Sequence, residues 1–265
     1  MQSLHVVKIG GNIIDDPLKL YQFLEDFSAL DGLKVLVHGG GKIASAIGQQ
    51  LGIEPKMMNG RRITDEETLR IVTMVYGGLV NKNVVAQLQA FGCDSIGLTG
   101  ADANIIQATK RPVGEINYGF AGDIKGPESI NTAILTAFLQ NSLTPVLAPL
   151  THNGQGTMLN TNADTIASSI AVALAQNFDV HLMYCFEKKG VLRDVNDDAS
   201  VISSVSKEEY AQLKEEGIIA AGMIPKLDNA MKAIQEGVQS VYICHADDVL
   251  EIVKHKAALG TKLYT

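Results

Sequence analysis

Cysteine is scarce in this 265-residue chain: Cys93, Cys185 and Cys244 lie far apart in apolar surroundings, with no CxxC and no Cys/His cluster. That spacing excludes a disulfide framework or a zinc site and describes buried thiols of a reducing compartment. Basic charge is short as well. Lys and Arg number 22 against 29 Asp and Glu, a net charge of -7, so no basic face awaits nucleic acid or an anionic membrane. Any bound anion must then be met by a few locally placed cations. No apolar run reaches the roughly 18 residues of a membrane helix, and the N-terminus enters a strand without a signal-like segment. A cytoplasmic protein is expected. Repeats, heptads and low-complexity tracts are missing, as are a P-loop, a G-x-S-x-G elbow and a carboxylate cluster fit to hold a metal.

What is present can build a sizeable core, since 46% of the residues are hydrophobic. The stretch from Leu33 to Ser45 runs from a β-branched apolar segment through Gly39-Gly40-Gly41 into a helical pattern. Three bare backbone amides at a helix N-terminus form an anion site. A second glycine turn, Gly10-Gly11, ends the strand Leu4 to Ile9, whose one charge is Lys8. Parallel strands ending side by side would point both turns into one crevice, where open α/β sheets bind ligands. As mere turns, three successive glycines would cost about 0.5 to 1 kcal/mol each. Gly39, Gly41 and Ala44 also fit a dinucleotide fingerprint, but they follow the second strand, and the next acids, Glu54 and Asp65, sit in polar loops.

Strand-like and helical runs alternate along the chain: strands at Leu4 to Ile9, Lys34 to Val37, Ser95 to Leu98, Thr144 to Ala148, Val180 to Cys185 and Ser240 to Cys244. The pattern predicts a three-layer α/β/α sandwich around a mainly parallel, open sheet. Thr64 is placed to cap a long helix to about Phe91, with Glu67 completing a capping box. Glycines between Ile105 and Ile124 predict hairpins over the sheet's edge. A boundary near Asn177 separates an N-terminal lobe, 1-177, from a C-terminal lobe, 178-265.

Several residues read blandly when taken singly. Lys8 fits a snorkelling edge lysine, Arg62 a solvated charge and Asp164 an ordinary helix N-terminal acid. Lys226 differs, because a lysine in a helix's first turn opposes the macrodipole. Taken together, Lys8-Ile-Gly-Gly11, His38-Gly-Gly-Gly41, Asn59-Gly-Arg-Arg62-Ile-Thr, Asn160-Thr-Asn-Ala-Asp164 and Gly222-Met-Ile-Pro-Lys226 resemble the amino-acid kinase family, and within it the acylglutamate kinases. The resemblance spans nearly the whole chain.

It implies ATP-dependent phosphorylation of the side-chain carboxylate of an N-acylglutamate, with N-acetyl-L-glutamate first and N-succinyl-L-glutamate as the alternative, in arginine biosynthesis. By position, Lys8 and Lys226 would flank the transferred phosphoryl group and Asp164 would hold them. Gly10, Gly11, Gly40 and Gly41 would offer amides, and Arg62 and Asn160 would grip the substrate. Glu187, Gly190, Leu192, Ile218, Ala220 and Met223 would line the nucleotide. The N-terminal lobe would bind acylglutamate and dimerise, and the C-terminal lobe would bind ATP, with Mg²⁺ arriving on the nucleotide phosphates. The nucleophile, a carboxylate of pKa near 4.3, is already ionised at neutral pH and needs no base. His38 is accordingly expected to be a turn residue bonded to backbone. The resemblance also implies a homodimer insensitive to arginine, because no extra helix precedes Leu4.

The chain departs from the family at Phe186-Glu187-Lys188-Lys189, where Thr/Ser-Asp-Val is usual. That segment is the best support for a rival reading, a non-catalytic nucleotide or amino-acid sensor. A succinyl group would need a further cation, for which Arg61, Lys110 and Arg111 are the candidates.

Overall fold

The computed structural model describes residues 1–194, 196–219, 223–255 and 257–264. Eight strands build one sheet: β1 (Ser3–Ile9), β2 (Leu33–His38), β3 (Ser95–Leu98), β4 (Thr144–Leu147), β5 (Asp179–Phe186), β6 (Ser204–Val205), β7 (Ser240–His245) and β8 (Thr261–Leu263). Their spatial order is β6-β8-β7-β5-β1-β2-β4-β3. All neighbouring pairs are parallel except β7 and β8. Pro145 stands inside this sheet, but the ladder from β4 to β2 runs through Val146 and Leu147, so its missing N–H costs that ladder nothing.

Alternation along the strands divides the core into two layers. Leu4 and Val6 of β1, Leu182 and Tyr184 of β5 and Val241 and Ile243 of β7 face the helices Ala163–Leu174 and Ile224–Gln235. Val7 and Ile9, Met183 and Cys185, and Cys244 face the helices Pro17–Ser28 and Val249–Lys254 and the long helix after residue 65. Lys8 continues the Leu4 and Val6 row and therefore lies on the first face, while His38, in phase with Leu36, lies on the second. The chain crosses near residue 177 straight into β5, which pairs with β1 along its length, so both halves share one sheet.

Two expectations need correction. The long helix is capped by Asp65, whose Oδ1 accepts from Thr68 N at 2.9 Å, and not by Thr64. Thr64 is fully buried because its backbone bonds to Tyr118 and Phe120 and its hydroxyl accepts from Asn160; the exposed carboxylate one residue on takes the free amide. The helix is also not uniform: α-helical turns Glu66–Val72 and Asn81–Ala90 flank a π-helical stretch, Thr73–Val80. The pieces between 105 and 124 pair as Thr109–Lys110 with Gly122–Asp123, and bridges join Gly119 to Thr64 and Ala121 to Asn160. A further bridge joins Gln107 to His152.

Candidate active site

Three charges meet at the C-terminal ends of the central strands. Lys8 comes from β1, Asp164 from the first turn of Ala163–Leu174, and Lys226 from the first turn of Ile224–Gln235. Lys8 Nζ lies 2.7 Å from Asp164 Oδ1 and Lys226 Nζ 3.7 Å from Asp164 Oδ2. The carboxylate thus joins the two lysines. Asn162 caps the 163–174 helix by accepting from Thr165 N, and Asp164 gains from the positive end of its dipole. Burial pushes the Asp164 carboxyl up, but Lys8 and Lys226 outweigh it and hold the group below the usual carboxylate range. Burial pulls Lys226 below the usual lysine value against the attraction of Asp164, and Lys8 adds to the lowering. Tyr184 Oη donates to the Asp164 carbonyl at 3.3 Å from β5.

The two glycine turns lie against each other: a Cβ on Gly39 would stand 3.6 Å from Gly11 N. Gly40 has φ +147, and a Cβ there would stand 3.1 Å from Tyr76 Cδ1 of the π-helical stretch, so only glycine fits. Lys42 ties the turns together by donating to Asn12 Oδ1, with Asp15 Oδ2 3.7 Å away. His38 is fully buried and held near pKa 4 mainly by that burial. Its Nδ1 donates to Gly39 O at 2.7 Å, and its Nε2 accepts from Asn81 Nδ2 at 3.1 Å, which fixes the tautomer. It is a neutral brace bonded to backbone, as expected, but it ends β2 and does not stand in the turn.

A cleft opens on either side of the charged cluster. The first is lined by Gly39 to Gly41, Arg61, Arg62, Tyr76, Arg111, Tyr118 and Asn160 to Ala163. Arg62 donates to Gly41 O and Ser45 Oγ, each at 2.8 Å, and Asn160 Nδ2 to Thr64 Oγ1 at 2.9 Å. The second is lined by Phe186, Glu187, Gly190, Leu192, Ile218, Met223 and Lys226. Cations and bare amides converge between the two, an arrangement that can neutralise an anion passing from one cleft to the other.

The family model described as the amino acid kinase family matches residues 3–245. The chain belongs to the amino acid kinase family. It is 57% identical over 264 residues to an acetylglutamate kinase of Cytophaga hutchinsonii, covering 99% of each chain. It is also 57% identical over 250 residues to an acetylglutamate kinase of Phocaeicola vulgatus, covering 94% of this chain and 96% of that protein. Among solved structures, an N-acetylglutamate synthase from Neisseria gonorrhoeae, complexed with coenzyme A and N-acetyl-glutamate, superposes with a TM-score of 0.81 at 25% identity. All of this chain matches there, over 59% of that one.

In this amino acid kinase the residues named from sequence are placed as follows. Lys8, Asp164 and Lys226 converge, Gly40, Gly41, Arg62 and Asn160 line the first cleft, and Glu187, Gly190, Leu192, Ile218 and Met223 line the second. Gly10 and Gly11 form the turn beside Gly39. Ala220 lies outside the described residues. Of the three candidate cations, Arg61 and Arg111 line the first cleft, while Lys110 stands over the Phe120 ring, 4.2 Å from its centroid. Arg111 is paired with both oxygens of Asp123. The sequence reading missed Tyr76, Tyr118 and the closeness of Cys185 to Cys244, whose sulfurs are 3.8 Å apart. Gly77-Gly78 directly after Tyr76 was the available signal, since two glycines are poor residues for a helix interior.

Proposed function

We infer that the chain phosphorylates the side-chain carboxylate of N-acetyl-L-glutamate with ATP, giving the 5-acyl phosphate, in arginine biosynthesis. The observation that carries this reading is the meeting of Lys8 and Lys226 on Asp164 between two clefts. The N-terminal lobe, 1-177, holds the acylglutamate, with Arg62 and Asn160 on its polar ends and the Gly40 and Gly41 amides facing the reacting carboxylate. The C-terminal lobe, 178-265, holds the nucleotide against Glu187, Gly190, Leu192, Ile218 and Met223, and the Gly10 and Gly11 amides meet its phosphates.

The incoming carboxylate needs no proton removed, so the barrier lies in bringing two anions together in line. The two lysines relieve it by sitting on the equatorial oxygens, where charge concentrates in the transition state. Asp164 spaces them. Both of its oxygens face ammonium groups, and among the described residues no cluster of His, Cys, Asp or Glu could hold a metal. In this reading Mg²⁺ would arrive with the nucleotide and supply further positive charge at the phosphates.

A second reading of the acyl group has Arg61 and Arg111 in its favour, because both line the first cleft beside Arg62. A carboxylate at the end of a succinyl chain would find a cation there, whereas an acetyl methyl gains nothing from one. ADP release measured with N-acetyl- and N-succinyl-L-glutamate in parallel separates the two. A higher kcat/KM with the acetyl compound sustains the first reading, and turnover of neither compound contradicts both.

We further propose a cytoplasmic homodimer joined through the long helix, whose Met74 and Leu79 are 56% and 46% exposed. In a π-helical stretch residues five apart lie near one face, and a two-fold pairing would cover both.

A further inference from the structure

Phe186 ends β5 on the same sheet face as Lys8, in the position where the kinase resemblance has a small hydroxyl residue. Its ring centroid lies 3.7 Å from Lys226 Nζ and 5.1 Å from Lys8 Nζ. The ring stacks on Tyr184, with centroids 6.5 Å apart and planes 16° from parallel. A Cβ on Gly10 would stand 3.7 Å from its Cδ1. It therefore touches both lysines, the first glycine turn and the wall of the second cleft at once.

The lysines are unevenly held. Both pair with the one carboxylate of Asp164, Glu187 adds a longer-range attraction on Lys226, and Lys226 sits in the first turn of its helix, where the macrodipole pushes a cation away. Asp164 reaches Lys226 only at 3.7 Å. A second carboxylate brought as close as Asp164 would hold Lys226 more firmly, but it would repel an arriving phosphate. An aromatic face attracts an ammonium group through its quadrupole and brings no net charge.

We propose that Phe186 is a positioning residue for phosphoryl transfer, its ring face seating Lys226, and Lys8 beside it, at the point where both meet the transferred group. The inference rests on the kinase reading above. The ring holds the lysines until phosphate oxygens arrive and then yields them, because an ammonium–ring contact favours one placement by about fivefold to thirtyfold, well short of a charge pair.

The test replaces Phe186 by a graded series of ring-fluorinated phenylalanines, which keep shape and fold while draining the ring face, alongside Phe186→Leu and Phe186→Tyr. The expected result is a stepwise fall in kcat reaching roughly tenfold in Phe186→Leu, with KM for ATP within about threefold and Phe186→Tyr near wild type. The alkaline limb of kcat moves to lower pH in the same order, because the ring favours the charged lysine. A flat kcat and an unmoved limb across the fluorinated series, with KM for ATP rising in Phe186→Leu, would make the ring a wall of the nucleotide cleft and overturn the proposal. NMR titration of ¹³Cε-labelled lysine reads the Lys226 pKa without turnover. Its fall in Phe186→Leu is expected even if N-acetylglutamate proves not to be the substrate, and an unchanged value overturns the seat by itself.

Discussion

Asp164 is pulled in opposite directions: burial favours its neutral form, and the lysines at 2.7 and 3.7 Å favour its anion. Because its carboxyl is held low in the fold, its pairing stabilises the protein above the unfolded value near pH 3.9 and is lost as pH falls through the folded value. Lys226 is lowered instead, mainly by burial, so the alkaline limb of kcat should fall below the usual lysine value near pH 10.4, and a limb above it would contradict the burial described here. His38 behaves as a buried neutral group. With its pKa near 4, the unfolded chain takes up its proton first as pH drops below about 6.5, and stability should decrease on the order of 3 kcal/mol between there and pH 4. Urea melts from pH 7 to pH 4.5 on His38→Gln beside wild type check this, with a flatter profile expected for the variant.

Which of these roles the sequence disclosed follows from physics. The lysines and Asp164 stand next to glycine turns and helix starts, features visible in one dimension, and the two glycine turns announced the crevice. The service of His38 to Gly39 was visible for the same reason, since the partner is its neighbour. Tyr76 was not, because it reaches Gly40 across 36 residues of chain and only through the third dimension.

At the level of elements, the strands were legible because buried parallel strands read as continuous apolar runs. The helix start was not, because Thr64 and Asp65 both suit an N-cap and only tertiary pairing of the Thr64 backbone decides between them. Two substitutions separate their parts. Asp65→Ala should cost about 1 kcal/mol of stability by losing the cap and leave turnover alone. Thr64→Ala should raise KM for the acylglutamate by freeing Asn160, its hydrogen-bond partner. Gly40→Ala should do more than either, since φ +147 and Tyr76 Cδ1 both oppose a Cβ. Its effect belongs in KM for the acylglutamate, read by steady-state kinetics, with a lowered melting temperature.

For the whole molecule, one sheet carries both clefts, and the charged cluster stands where they meet. The lobes read from sequence are halves of one continuous sheet joined by the pairing of β1 with β5, and Lys8 and Lys226 meet on Asp164 from distant parts of the chain. If the long helix forms the dimer contact, Leu79→Asp should halve the mass measured by light scattering, and an unchanged mass would place the contact elsewhere.

The central claim is that two lysines work on one phosphoryl group. Lys8→Ala and Lys226→Ala should each lower kcat at least about a hundredfold with KM values within a few-fold, and the double variant should be little worse than either, as groups acting as a unit behave. A kcat within a few-fold of wild type for either single variant, with binding unchanged, would contradict it.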